Sequence, residues 1–231
     1  RGIGKSIVET FLEKGATKVY AGVRSLDRAA SLVEQYGDRV EAIQIDLEKP
    51  ETITAAALQT NDVEVVVNNA GVLKSSTPMD IDAINSLNYE MDINVGGLIR
   101  MAQAFAPILK TNGGGAFIQL NSVASIKNFA PVATYSASKA AAYSITQALR
   151  EILSEQGTSV ISVHPGPIDT DMANDAGFGE MAEPPNIVAN GIVAALNNGD
   201  FHVFPDTMAK QVSSVYQNFA ENIIEVNIME G

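Results

Sequence analysis

The amino-acid sequence predicts one α/β domain built around a doubly wound, mainly parallel β-sheet. Helical and strand-like hydrophobic periods alternate along almost the whole chain, which is the pattern of strand–helix–strand units. The run VEVVV at residues 63–67 is almost continuously apolar, as expected for a strand covered by helices on both faces. The chain has 231 residues and no low-complexity linker, so its length fits one domain with a large core.

The first half of the sequence predicts three strands and three helices. Ile3, Ile7 and Phe11 recur at helical spacing, so a helix opens the chain and stops at Gly15. A third helix is expected to begin after Pro50, because proline is favoured in a first helical turn. The expected strands cover residues 18–23, 40–45 and 63–67, and the second helix carries residues 29–36.

The second half continues the alternation. Met91, Val95 and Leu98 begin a series that predicts a long helix from near residue 88 to Leu109. Further strands are expected at residues 116–120, 160–163 and 201–204, and further helices at about 132–156 and 186–197. In a sheet of this type a strand should precede the opening helix, so we expect a first strand upstream of Arg1, giving about seven in all.

Composition and charge disfavour several classes of protein. The net charge is −12 with no basic run, which argues against a nucleic-acid partner, because such binding relies on clustered Lys and Arg. No apolar run approaches the roughly twenty residues that span a bilayer, so no membrane partner is expected. With no cysteine and only two histidines, neither a disulfide scaffold nor a metal site is expected, and a cytoplasmic location fits.

The segment Arg1-Gly2-Ile3-Gly4 places two glycines at the start of the first helix. A helix N-terminus attracts phosphate because its free N–H groups and the helix dipole point at the anion. Glycine lets the backbone approach that phosphate closely. Glycines that merely begin a helix would look the same, so this element counts only in combination with others.

Tyr135 and Lys139 form a second candidate element. Residues four apart on a helix share a face, so the hydroxyl and the ammonium group can lie in one site. A nearby cation favours the phenolate and is expected to lower the pKa of Tyr135 from about 10 toward a value useful for acid–base chemistry. A solvated helix face can carry the same pair by chance.

Three further segments follow predicted strands, at the carboxyl edge where open α/β sheets bind ligands. They are residues 69–71 (NAG), Ser122, and residues 165–170 (PGPIDT). Asn94 lies inside the predicted long helix, where asparagine has poor helix propensity and therefore invites another explanation.

Taken together, these elements resemble the short-chain dehydrogenase/reductase family, in its shorter branch. The likeness covers nearly the whole chain, and the segments match in identity, order and spacing. The family's glycine motif, Thr-Gly-x-x-x-Gly-x-Gly, is present only as its last two glycines, Gly2 and Gly4. The resemblance implies one Rossmann-type NAD(P)-binding domain over residues 1–231. It also implies an oxidoreductase that interconverts an aldehyde or ketone and an alcohol by hydride transfer.

The resemblance assigns roles to four residues as the catalytic set. Tyr135 would be the general acid and base, and Ser122 would hydrogen-bond the same substrate oxygen. Lys139 would lower the pKa of the tyrosine and hold the nicotinamide ribose, while Asn94 would support a water in a proton relay. The cofactor would contact Arg1, Gly2, Ile3, Gly4, Arg24, Asp46, Leu47, Asn69, Ala70, Gly71, Tyr135, Lys139, Pro165, Gly166, Ile168 and Thr170.

The end of the strand at residues 18–23 favours NADP(H) over NAD(H). An acidic residue at this place usually binds the ribose 2′-hydroxyl of NAD, but Val23 stands here. Arg24 follows it and Arg1 precedes the first glycine, and two guanidinium groups suit a dianionic phosphate. The alternative is that both arginines are solvated surface residues.

The loop at residues 171–185 is expected to close a substrate pocket opposite residues 126–132. An apolar lining for a lipophilic carbonyl substrate would come from Phe129, Val132, Met172, Phe178 and Met181, unless these residues only anchor the loop. By resemblance, the helices around residues 91–109 and 137–148 would form the interface of a homodimer or homotetramer.

Two other functions fit the same fold. A non-catalytic NAD(P)-binding sensor or regulatory protein would use the cofactor site alone, but such proteins generally lack the tyrosine or the lysine. A nucleotide-sugar epimerase or dehydratase shares the Tyr/Lys pair and needs a large carboxyl-terminal substrate domain, for which few residues follow Lys139.

Overall fold

The computed structural model describes residues 1–226 and shows an α/β fold with parallel sheets, as predicted. The strands are β1 (Val19–Val23), β2 (Val40–Gln44), β3 (Val65–Asn68), β4 (Ala116–Leu120), β5 (Ser159–Val163) and β6 (His202–Val203). The helices are α1 (Gly2–Glu13), α2 (Ala30–Tyr36), α3 (Pro50–Gln59), α4 (Ala83–Glu90), α5 (Gly97–Thr111), α6 (Ala133–Ser154), α7 (Asp171–Asp175), α8 (Asn186–Asn198) and α9 (Thr207–Phe219).

The strands lie in two parallel sheets. β1 pairs with β2, with Val19 opposite Val40, and the larger sheet has the order β3-β4-β5-β6. Within residues 1–226 there are six strands, and β1 and β3 are not hydrogen-bonded to each other. The expected strand upstream of Arg1, which would lie between them, stays a prediction. All pairings are parallel, so the carboxyl ends of each sheet's strands share one edge.

Helices cover both faces of the larger sheet, which makes the fold doubly wound. Phe117 and Ile118 are neighbours on the central strand β4 and are both fully buried. Side chains alternate along a strand, so Phe117 packs with α3, α5 and α6, whereas Ile118 packs with α1 and α8. All five residues of β4 are buried, which explains its continuously apolar character apart from one glutamine.

The predicted long helix is interrupted by a π-helical segment, Met91–Gly96, that separates α4 from α5. This segment contains Asn94, and π-helical turns inside α-helices often mark functional sites. Two helices lie where the sequence analysis expected none: α7 falls in the proposed substrate loop, and α9 follows β6. Both begin with a side-chain cap, from Thr170 and Asp206 respectively, which are short-range signals that hydrophobic periodicity does not report.

Candidate active site

A cleft with a volume of about 420 Å³ opens at the carboxyl ends of β3, β4 and β5. This volume lies within the range of about 300–1,000 Å³ that is usual for ligand sites. The cleft brings together most of the predicted site residues: Arg1, Gly2, Ile3, Gly4, Asn69, Ala70, Gly71, Ser122, Tyr135, Lys139, Pro165, Gly166, Ile168 and Thr170.

The N-terminus of α1 forms one wall of the cleft, and its glycines permit close contacts there. Gly2 has a φ of +53°, and a Cβ atom at this residue would lie 2.9 Å from Cγ2 of Thr170. A Cβ atom at Gly4 would lie 3.0 Å from Nδ2 of Asn69. Any larger residue would therefore push against the opposite wall. The first backbone N–H groups of α1 have no partner inside the helix, so they are suited to bind a phosphate group.

Tyr135, Lys139 and Ser122 meet at the centre of the cleft. Tyr135 and Lys139 lie one turn apart near the start of α6, and Nζ of Lys139 is 5.8 Å from the centre of the Tyr135 ring. Lys139 is buried and donates a hydrogen bond of 2.7 Å to the carbonyl oxygen of Leu120 at the end of β4. Ser122 begins a short 3₁₀ turn, and its Oγ accepts a hydrogen bond from the N–H of Ala124.

Burial controls the protonation of both groups. Removal from water raises the pKa of Tyr135 to about 12, while hydrogen bonding to Ser122 lowers it and the carboxyl of Glu90 raises it. Burial also lowers the pKa of Lys139 to about 8. The pKa of Tyr135 is therefore raised, and not lowered as the sequence analysis expected, because desolvation is the largest influence on it. At neutral pH the tyrosine therefore keeps its proton.

Asn94 lies behind the cleft rather than in its lining. It is buried, its Nδ2 donates 2.9 Å hydrogen bonds to the Val72 carbonyl and to Oγ of Ser138, and its Oδ1 accepts one from the Val72 N–H. These bonds explain an asparagine within a helix: its side chain satisfies loop backbone that lies inside the protein. In this structure Asn94 joins the loop after β3 to α6.

Arg24, Asp46 and Leu47 lie outside the lining of the cleft. Arg24 directly follows β1, and Asp46 and Leu47 follow β2, so the parallel pairing places all three near one edge of the small sheet. Arg24 is exposed and, within residues 1–226, forms no salt bridge. The Leu47 side chain is buried in the core.

Arg1 has a partner that the sequence did not predict. Its guanidinium group forms a hydrogen-bonded ion pair with Asp171 at the start of α7. The two side chains are 73% and 61% exposed, so the pair is solvated and contributes little to stability. Arg1 can therefore exchange this partner for an anionic ligand.

A model of the short chain dehydrogenase family matches residues 1–180. The chain belongs to the short-chain dehydrogenase family. An uncharacterized oxidoreductase of Staphylococcus saprophyticus is 30% identical to it over 206 residues, which cover 84% of this chain and 86% of the relative. The family and this relative identify the chain as an oxidoreductase.

Solved structures are similar over almost the whole chain. A short chain dehydrogenase of Burkholderia cenocepacia, solved in complex with NADP, is 32% identical and has a TM-score of 0.84, with 98% of this chain and 94% of that one covered. A short chain dehydrogenase/reductase of Burkholderia phymatum, solved in complex with NAD, is 20% identical with a TM-score of 0.80, covering 95% and 90%. The second likeness concerns the fold alone.

The end of the cleft that the loop at residues 171–185 borders is apolar in this short-chain dehydrogenase. The predicted lining residues Phe129, Val132, Met172, Phe178 and Met181 all border it. Leu73 and Met208 complete this wall and were not predicted from the sequence. Leu73 could have been found from its position two residues after the NAG segment, whereas Met208 lies on α9, which hydrophobic periodicity did not reveal.

Asp206 is a further residue that the sequence analysis missed. Its side chain is buried, and its Oδ2 accepts a 2.7 Å hydrogen bond from the N–H of Gly166. Oδ1 accepts a bond from the N–H of Ala209 and so caps α9. Asp206 therefore holds the segment after β5 against the first turn of α9.

No helix of the described residues has the length and apolar character required to cross a membrane. Among residues 1–226, no group of His, Cys, Asp and Glu side chains is arranged to hold a metal ion.

Proposed function

We propose that this short-chain dehydrogenase is an NADP(H)-dependent oxidoreductase that interconverts a carbonyl compound and an alcohol, with Tyr135 as general acid and base. The observation that carries the proposal is the meeting of Tyr135, Ser122 and Lys139 in one cleft whose other end is the glycine-bordered start of α1. The first three residues supply acid–base and hydrogen-bonding groups, and the helix start supplies a place for phosphate.

The chain's own residues would handle the substrate oxygen and its proton. A bound nicotinamide cofactor supplies or accepts the hydride. In the reducing direction, the Tyr135 hydroxyl donates its proton to the carbonyl oxygen, and the Ser122 hydroxyl donates a hydrogen bond to the same oxygen. The high pKa of Tyr135, about 12, suits a group that must hold its proton until the oxygen gains charge. In the oxidising direction, Tyr135 accepts the alcohol proton.

Lys139 and Asn94 would position the groups of the site. Lys139 is anchored by the Leu120 carbonyl one helical turn from Tyr135, where its ammonium group can bind ribose hydroxyls and favour the tyrosinate. Asn94 fixes Val72 and Ser138 around this lysine, and a Cβ atom at Gly71 would lie 3.1 Å from Oδ1 of Asn94 and 3.5 Å from Nζ of Lys139. Gly71 thus leaves room for both side chains.

Preference for NADP(H) is supported by charge. The relative from Burkholderia cenocepacia was solved with NADP. In this chain Arg24 and Arg1 are both exposed, Arg24 forms no ion pair within residues 1–226, and the partner of Arg1 is a solvated carboxylate. Two such guanidinium groups would favour the 2′-phosphate that distinguishes NADP from NAD.

The substrate that fits this cleft is a lipophilic aldehyde or ketone. The wall beyond Ser122 and Tyr135 is built from Leu, Phe, Val and Met side chains. Apolar walls favour an apolar substrate because burying its surface is worth about 25 cal/mol per Å². Methionine adapts its shape readily, so the three methionines Met172, Met181 and Met208 suit several substrate shapes.

We further propose one domain over the whole chain, a cytoplasmic location and a homodimer or homotetramer. The absence of cysteine supports a reducing compartment. Ile99 on α5 and Ile152 on α6 are exposed to 36% and 62%, which supports contact between subunits through these two helices.

The test is turnover of aliphatic and aromatic aldehydes, ketones and diketones, followed by NADPH or NADH absorbance. We expect turnover with NADPH, and its loss in Tyr135→Phe by at least about a hundredfold, because general acid–base catalysis contributes about 10²–10⁴. Tyr36→Phe, on the remote helix α2, is the matched control and should keep full activity. Cofactor binding without any turnover would instead favour a sensor, and no binding of either cofactor would refute the proposal.

A further inference from the structure

Glu90 is the buried last residue of α4, and the proposed reaction assigns it no role. Its side chain is fully buried, and its Oε1 accepts a 2.7 Å hydrogen bond from the N–H of Lys74. Its Oε2 has no hydrogen-bond partner within the described residues, and neither has the nearby hydroxyl of Thr134. A buried carboxyl with one unsatisfied oxygen costs stability, so a functional explanation is needed.

Glu90 and Asn94 act together on the loop after β3. Asn94 holds Val72 through both its N–H and its carbonyl, and Glu90 holds Lys74 two residues further on. Both side chains come from one helical stretch and bind alternate residues of the loop, so they fix its backbone at two points. Leu73 lies between those points and borders the cleft.

The same loop continues to the start of the helix that carries Tyr135. The carbonyl oxygen of Ser76 accepts hydrogen bonds from the N–H groups of Ala133 and Thr134, at 3.0 and 3.4 Å. These are donors of the first turn of α6 that have no partner inside the helix. Glu90 is therefore connected to the helix of Tyr135 through the ordered loop.

The carboxyl of Glu90 also affects the ionisation of Tyr135. Burial raises the pKa of Glu90, and the N–H and the ammonium group of Lys74 partly oppose this. The carboxyl of Glu90 in turn raises the pKa of Tyr135. The groups facing Glu90 are thus Lys74 from the loop and Thr134 and Tyr135 from α6. The other ionisable group beside Tyr135 is Lys139.

We infer that Glu90 is a positioning residue of the active site, a buried carboxyl that orders the loop and the helix start beside Tyr135 and whose negative charge opposes formation of the tyrosinate. The inference rests on the proposed role of Tyr135 as general acid and base. An ionised Glu90 adds to the desolvation that raises the pKa of Tyr135, whereas a protonated Glu90 does not. The reaction would then slow in the oxidising direction as Glu90 becomes charged.

The first test measures the coupling without turnover. In protein labelled with ¹³C at tyrosine Cζ, the Tyr135 resonance is assigned by its absence in Tyr135→Phe. In the wild type we expect this resonance to shift in a step at a pH above 4.5, the ordinary pKa of glutamate, because the ionising carboxyl lies close to it. Glu90→Gln keeps the acceptor for Lys74 and should abolish the step. Glu155→Gln, an exposed change at the far end of α6, should retain it.

The second test uses turnover. In the oxidising direction, Glu90→Gln should shift the pH profile of kcat/KM to lower pH by about half a unit or more, because a neighbouring negative charge is gone. An unshifted profile, or a Tyr135 step that is absent in the wild type or persists in Glu90→Gln, overturns the inference. If Glu90→Gln does not fold, Glu90→Met, of similar length and uncharged, replaces it in both measurements. Failure of the proposed function is separate, since a wild type without turnover still gives the resonance measurement.

Discussion

At the scale of single residues, burial rather than charge pairing controls the chemistry of this site. Burial lowers the pKa of Lys139 to about 8 and raises the pKa of Tyr135 to about 12. Both shifts favour the neutral form, as desolvation always does. A positively charged nicotinamide ring in this cleft would favour the tyrosinate. At neutral pH the raised pKa keeps the proton on Tyr135.

The first prediction concerns Arg24 and the preference for NADPH over NADH. Arg24→Ala should raise the KM for NADPH about tenfold to hundredfold and leave the KM for NADH nearly unchanged, because a hydrogen bond to a charged group contributes about 1.5–3 kcal/mol. Steady-state kinetics with both cofactors measures this. Arg28→Ala removes another exposed arginine four residues away and should change neither value. Equal losses with NADPH and NADH would show that Arg24 does not recognise the 2′-phosphate.

At the scale of elements, helix ends and irregular turns place the functional groups. The π-helical segment Met91–Gly96 carries Asn94 against the loop after β3. The start of α6 receives the Ser76 carbonyl, and the start of α9 is capped by Asp206, which also binds Gly166. Each of these contacts uses a backbone group that a regular helix leaves without a partner. The same contacts that complete the helices also fix the walls of the cleft.

Asp206→Ala tests this double role. The change removes the cap of α9 and the acceptor for the Gly166 N–H, so we expect the free energy of unfolding to fall by about 2–4 kcal/mol. Affinity for NADPH should also fall, because Gly166 loses its support. Urea unfolding and a fluorescence titration with NADPH measure the two effects. Asp200→Ala, at an exposed site after α8, should alter neither, and an Asp206→Ala protein of wild-type stability would contradict the prediction.

At the scale of the whole molecule, a polar cluster joins the helix that carries Tyr135 to β6 and to Glu225 near the carboxyl end of the described residues. Tyr143, two turns after Tyr135, shares a 2.6 Å hydrogen bond with Nε2 of His202, whose Nδ1 lies 3.0 Å from Glu225. The ring of Tyr143 also packs edge-on against that of His164, at 4.6 Å between ring centres. His164 itself is fully buried at the end of β5. Burial lowers its pKa to about 3, so it is neutral in the native protein.

His164 should make the protein sensitive to acid. Its pKa is about 3 when folded and about 6.5 when unfolded. Between these values the unfolded chain binds more protons, so stability rises with pH there and is lost as the pH falls from about 6.5 toward 3. The loss is on the order of 3–5 kcal/mol.

Calorimetric Tm measured from pH 4.5 to 7 checks this, with His164→Gln as the variant, since it keeps a polar side chain that cannot titrate. We expect a clearly flatter dependence of Tm on pH in His164→Gln than in the wild type. Glu34→Gln, which neutralises an exposed carboxylate, should leave the slope nearly unchanged. Parallel curves for wild type and His164→Gln would exclude His164 as the source.

The order of the six strands and of the helices between them was predictable from the sequence alone, whereas α7 and α9 were not. Hydrophobic periodicity reports which face of each element is buried, and this is a local property. Phe117 and Ile118 illustrate it, since adjacent apolar residues on a strand require cover on both faces. The segments at residues 69–71, Ser122 and 165–170 follow strands directly, so parallel pairing was enough to predict that they share one edge.

Tertiary structure decided the rest, because the deciding contacts join residues far apart in the chain. The sequence does not show that Glu90 meets Lys74, that Asp206 binds Gly166, or that desolvation raises the pKa of Tyr135. Burial depends on every element that covers a group, and a hydrogen bond depends on distances of a few tenths of an ångström. Residue type and spacing therefore identify the reacting groups, and packing sets their protonation and their supports.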